Sequence, residues 1–460
     1  MKGDFSRNTF DPLKHFSRVL MQQGRVQLDA DWNEQADIIL HYLRTLARDL
    51  IGDHGGPRDG FSIDKGTHLG MDFAILPGRY YVDGILCENE KLDLTFKGQD
   101  SYPFPDSEEL ESGRIYLVYL DVWERHITHF EDARLREVAL GGPDTATRTK
   151  VVWQVKVTST MPDGQAINGD QKTNWAEWLQ DLNANWDKWK ARWHPVNRGK
   201  LKASNKDART SDAQPCIISP ESRYRGAENQ LYRVEIHTSG TAGKATFKWS
   251  RDNGTVVFPL SNLTGQRAKM AQAWRDDRHG LKIGDWVEIV DDDRVLRGES
   301  GILAQVDAVK LDDMTIVLKF PDKVSPPQYQ ASDYNTKHVL LRRWDHKIGN
   351  PNSSNDIPKA GGDGALSIEE DKPLTLEDGI QIFFESANAD NNYRSGDYWL
   401  IPARTATGDV EWPKDESGSV ARAPHGIEHH YAPLGIIECE KNGDIFTISF
   451  RLPISPAAHF

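Results

Sequence analysis

The chain has 460 residues, about three times a common domain length of roughly 150, which predicts two to four domains. With 38% hydrophobic residues and 14 Trp it can build packed cores, so wholesale disorder is excluded. A formal charge of −13 disfavours nucleic acid as a partner. The three scattered cysteines, Cys87, Cys216 and Cys439, have no CxxC spacing and so lend no support to a disulfide framework or a structural zinc.

Charged residues in Met1-Lys2-Gly3-Asp4-Phe5-Ser6-Arg7 stand where a signal peptide needs an apolar run. No stretch approaches the roughly 18 apolar residues of a membrane span. These features predict a soluble chain made in the cytoplasm. Gly24 to Leu28 reads as extended, and a helix follows. Trp32, Ile39, Leu43, Leu46 and Leu50 step by seven, four, three and four onto one face, which predicts burial against a partner surface. Glu34, Asp37, Arg44 and Arg48 occupy the opposite face. Asp31 with Glu34 resembles a capping box, and Gly52 stands at the C-terminal cap.

From about residue 70 the pattern turns to strand. Phe73 to Cys87 reads as two strands about a Pro77-Gly78 turn. Further apolar runs cover Ile115 to Trp123 and Lys150 to Val157, with a turn-rich loop over Leu140 to Thr145. Trp175, Trp178, Leu182, Trp186, Trp189 and Trp193 then form a helical stripe dominated by indoles. Past His194-Pro195, Val196 to Pro215 reads as a mobile basic tail bearing Arg198, Lys200, Lys202, Lys206 and Arg209.

Strands resume at Leu231 to His237, Ala245 to Trp249 and Thr255 to Phe258, the last two joined by Asn253-Gly254 as a hairpin signal. Gly284 to Val290, Gly301 to Val306 and Met314 to Leu318 recur at short spacing and suggest a small barrel or sandwich. Residues 349–364 read as a loop. Ile380 to Phe384, Tyr398 to Ile401, Gly435 to Glu438 and Ile445 to Ile448 are the last strands, the final pair meeting across Asn442-Gly443.

Phosphate-binding glycine loops and GxSxG elbows are absent from the sequence. His425, His429 and His430 are weak metal candidates, because Pro424 and Gly426 oppose a helix that would aim the first two together. Hydrogen-bonding roles in a loop suit them better. Asp291-Asp292-Asp293 and Glu369-Glu370-Asp371 do not match a calcium loop. The Trp stripe is read first as packing against its own chain. As partner anchors, the candidates are Trp175, Trp178, Trp186, Trp189 and Trp193. No catalytic residue and no cofactor are expected.

Several stretches resemble an uncharacterised domain family encoded in gene clusters for phage-tail-like contractile injection systems. They are Asp4 to Arg7 with Thr9 to Pro12, Val19 to Gln35, Tyr119 to Arg125, Glu137 to Thr145, Phe247 to Arg251 and Gly396 to Arg404. The strand pair Pro77 to Gly84 resembles the attachment ends of tail fibres and baseplate proteins. The resemblance implies a non-enzymatic docking component whose partners are baseplate, spike or tube subunits, made in the cytoplasm and then built into a particle, with homo-oligomerisation possible. Cargo carried in the tube lumen is one alternative. A carbohydrate-active enzyme or glycan-binding module is another.

The expected fold is mainly β, built of β-sandwich and small β-barrel modules, with an N-terminal helical segment and a Trp-rich helical insertion. Along the chain this gives a helical attachment segment (1–60), the first half of a β domain (61–164), the insertion with its basic tail (165–215), the second half (216–279), a barrel-like module (280–322) and a β-rich C-terminal region (323–460).

Overall fold

The computed structural model describes residues 1–65, 71–105, 108–167, 175–194, 198–205, 223–272, 274, 280–348, 358–387, 391–416, 418–441 and 444–454, with the side chains of 175–177 left aside. The fold is mainly β, with 38% strand, 15% helix and a six-stranded closed barrel. Two compact units divide the chain, and both are discontinuous. One comprises residues 1–8, 127–147 and 197–426; the other comprises 9–126, 148–196 and 427–460. This nesting cuts across the linear segmentation, because strand partners lie hundreds of residues apart.

In the second unit a four-stranded sheet runs in the order Ile445–Ser449, His430–Cys439, Ile115–Ile127, Arg148–Thr158, the first three strands antiparallel. The central strand Ile115–Ile127 is buried on both faces, and strand alternation sorts its side chains between two cores. Tyr116, Val118, Leu120 and Val122 pack with Phe61, Phe73, Tyr80 and Phe96. Ile115, Leu117 and Tyr119 face α2 (Trp175–Ala184) and α3 (Trp186–Trp193). In the neighbouring strand a register shift between Pro433 and Gly435 flips the parity, so that Ala432, Leu434, Ile437 and Cys439 share one core while Ile436 meets the other.

The hairpin Gly78–Val82/Ile85–Asn89 turns at Asp83-Gly84, both at positive φ (48° and 78°), and not at the expected Pro77-Gly78. Asp-Gly meets the demand of a two-residue hairpin turn for left-handed backbone at both central positions.

The first unit combines a sandwich and a barrel. A five-stranded sheet (Leu366–Ser367, Thr246–Ser250, Gln230–Thr238, Tyr398–Arg404, Asp409–Val410) shares one core with a three-stranded sheet (Pro373–Thr375, Ile380–Glu385, Lys200–Asn205). Lys200–Asn205 was expected in a mobile tail. It is a paired strand, because alternate Leu201 and Ala203 are buried in that core while Lys202 points outward to Glu385. Residues 206–222, the rest of that tail with Cys216, lie outside the described residues, as do 349–357 of the expected loop and Asn442-Gly443.

The barrel closes in the order Val257–Thr264, Arg267–Met270, Thr315–Lys319, Ile302–Lys310, Trp286–Val290, Leu340–Trp344. It is therefore wider than the expected 280–322 module, taking strands from both sides. Asn253-Gly254 joins no hairpin. Thr246–Ser250 pairs within the sandwich and Val257–Thr264 within the barrel, so this positive-φ bend hands the chain from one to the other.

Candidate docking surface

The long helix α1 (Asp29–Ile51) begins two residues before the expected cap. Leu28 is its N-cap, without a side-chain bond, and Asp29 and Asp31 lie in the first turn, where carboxylates suit the positive end of the helix dipole. Glu34 does not close a capping box. It accepts instead from the Thr9 hydroxyl at 2.6 Å. Gly52 ends the helix at φ 95°, its N–H donating to the Arg48 carbonyl at 2.8 Å.

The face that α1 turns to its own unit is the small and charged one. Ala30 and Ile38 are its buried residues, with Glu34, Asp37 and Arg44 half-buried around them. Burial, with the Glu124 charge nearby, raises the Asp37 carboxyl above its ordinary range, against the pull of Arg44. Arg44 donates to both oxygens of Glu124, at 2.7 and 3.2 Å. The hairpin turn comes so close that a Cβ at Gly84 would collide with the Arg44 carbonyl oxygen.

The apolar face points the other way. Trp32 is 79% exposed, Leu50 77%, Leu43 and Leu46 56% each, and Ile39 51%. Leu40 and Tyr42 extend the face, and the preceding arm adds exposed Leu13, Phe16, Leu20, Met21 and Val26. The arm carries no strand or helix between His15 and Leu28, and the Val19 N–H donates to the Gln35 side chain at 2.8 Å. A surface helix ordinarily points its apolar stripe at the core. Here the stripe is inverted, and no described element of its own unit covers it. Sequence periodicity located these residues. It could not locate Glu124 and Gly84, which meet α1 from 80 and 40 positions away.

The Trp insertion is used differently. It is two helices that meet at Asn185. Trp178, Trp186 and Trp189 are buried with Leu182 against the central sheet, and the Trp186 indole donates to the Tyr431 carbonyl at 3.3 Å. Trp193 stacks on Tyr119 with ring centroids 4.0 Å apart. Trp178, Trp186 and Trp189 are thus buried within their own unit, and Trp193 is half-buried there. The Trp175 side chain lies outside the described residues.

The three histidines do not converge. His425 belongs to the first unit and pairs its backbone with Tyr398. His429 Nδ1 lies 2.6 Å from Asp121, and His430 Nδ1 lies 2.8 Å from Asp83. Burial would raise the Asp121 carboxyl, but His429 and Lys156, the latter at 2.8 Å, outweigh it and hold it at about 2. Among the described residues, no group of three or more His, Cys, Asp or Glu is placed to hold a metal ion. No helix of the described residues is long and apolar enough to cross a membrane.

A second ionic cluster sits inside the first unit, between the five-stranded sheet and the barrel. Lys248 lies 2.6 Å from Glu288, which also accepts from the Gly301 N–H and the Trp344 indole. Glu235 is held by Arg233 at 2.6 Å and Lys2 at 2.9 Å. Burial alone would raise Glu288; Lys248 and Lys2 overcome it and hold the group at about 2. Both carboxylates, Glu235 and Glu288, are matched by cations of the same cluster, an arrangement that fixes packing.

One family model, described as a family of unknown function (DUF6519), matches residues 1–180 and 194–444. The chain belongs to this family. The match passes through the arm and α1 without a break and skips 181–193, most of the Trp-rich helices. Helix α1 therefore lies within the residues that the family model matches. No curated protein and no solved structure matches the chain.

Proposed function

We propose that the chain is a non-enzymatic structural subunit that docks, through its N-terminal arm and α1, onto a neighbouring subunit of a phage-tail-like contractile injection particle. The observation that carries this reading is the inversion of α1, whose charged face is seated on its own unit while five large apolar side chains stand exposed. Contiguous exposed apolar surface is rare on a free monomer and marks an interaction site. Docking the stripe would contribute roughly 25 cal/mol per Å² of apolar area removed from water. The kind of particle comes from the resemblance of the arm and helix, Val19 to Gln35, and the other quoted stretches to proteins encoded with such systems. Synthesis in the cytoplasm followed by incorporation into the particle accords with that role.

The test is recovery with the particle. Contractile particles would be sedimented from cells producing the tagged wild-type chain or the Leu43→Glu/Leu46→Glu variant. The wild type is expected in the particle fraction and the variant in the supernatant. A wild-type chain found only in the supernatant would refute the reading.

A further inference from the structure

We infer that the partner on α1 is the same face of further copies of this chain, the helices joining in a bundle. This inference rests on the docking reading above and names its partner. The exposed positions form a heptad seam. With Ala36, Leu43 and Leu50 at a, the residues at d are Trp32, Ile39 and Leu46, and all six are exposed. A seam of this period calls for another helix, because each a or d side chain needs a hole made by four residues of a facing helix.

The flanks make an identical helix the fitting occupant. Positions e hold Asn33, Leu40 and Ala47, and positions g hold Gln35, Tyr42 and Asp49, so a single charge borders the whole seam. Two copies therefore meet without facing rows of like charge, which would otherwise forbid self-pairing. A partner of different sequence would ordinarily be selected by charges at these positions, and they are missing. Asp29 and Asp31 stand at a and c of the first turn, and the charges that remain besides Asp49, namely Glu34, Asp37, Arg44 and Arg48, fall at b and f. That side is where Arg44 binds Glu124, so the body of the unit sits behind the helix and leaves the seam open. Leu at a beside Ile at d, with apolar Leu40, Tyr42 and Ala47 widening the stripe, favours more than two helices.

Light scattering and sedimentation of the purified full chain at micromolar concentration test this. The expected mass is a multiple of the 52.0 kDa chain. Leu43→Glu/Leu46→Glu is expected to give a monomer with unchanged thermal unfolding of the fold. Leu92→Glu, at a still more exposed leucine off the helix, should stay oligomeric. In a Cys216→Ser background, Leu43→Cys should form a disulfide-linked dimer under mild oxidation. A monomeric wild type, or an oligomer unmoved by the two glutamates, overturns the inference. A monomeric wild type that still sediments with particles, and loses this with the two glutamates, would leave docking standing with a different partner.

Discussion

Arg44 and Glu124 form a two-pronged ion pair, 2.7 and 3.2 Å, that ties the outer helix to the central strand of its own unit. Both side chains remain about 30% exposed, so the pair sits at the edge of water and its strength is that of a partly screened contact. Its value lies in orientation: it fixes which face of α1 looks outward. Arg44→Ala is expected to cost no more than about 1 kcal/mol of global stability. Amide exchange over residues 34–51 should quicken far more than in the central sheet. Unchanged exchange in α1 would mean that the helix is seated by other contacts.

Trp189 is 2% exposed between the insertion and the sheet. Trp189→Ala should therefore lower stability by about 3–5 kcal/mol, as deletion of a large buried side chain does. Urea unfolding of the isolated chain measures this. A loss under 1 kcal/mol would return the indole to the role of a partner anchor.

Lys248 is completely buried against Glu288. Removing one partner of such a pair strands the other charge, so Lys248→Met should destabilise by about 3–5 kcal/mol. Adding Glu288→Gln removes the stranded charge. The double variant is expected to lose clearly less than the sum of the two single losses. Additive losses would show that the two groups do not depend on each other.

Asp121, held at about 2 against an ordinary 3.8, gives the fold a defined acid sensitivity. Its folded value is depressed, so its contribution is complete above about pH 4 and is lost as the pH falls through about 2. The size is about 2 kcal/mol, from a displacement of nearly two pH units. Asp121→Asn should accordingly be less stable than wild type at pH 7, with the gap closing between pH 4 and pH 2. A gap independent of pH would assign the loss to packing alone.

The strands were legible wherever alternation or an apolar run was long, as in Ile115–Ile127 and Gln230–Thr238. Lys200–Asn205 was missed because its two buried residues, Leu201 and Ala203, are few and are flanked by lysines that read as a solvated tail. The turn at Asp83-Gly84 was masked by Pro77-Gly78, an equally strong local signal a few residues earlier. Local chemistry names both as turns, but only strand pairing decides which one makes the hairpin.

By itself the sequence determined that the chain is mostly β, that an amphipathic helix stands near its start, and which side chains make the apolar stripe. Periodicity fixes those, since it depends only on residues a few positions apart. Which way the stripe faces was decided by tertiary structure. Glu124 and Gly84 reach α1 through folding of the distant strands and draw its charged side inward. The Trp helices, with a similar pattern, were turned to the sheet because Tyr119 and Tyr431 offered them a matching surface. Two amphipathic elements of one chain thus face opposite ways, for a reason that lies in contacts of long sequence separation.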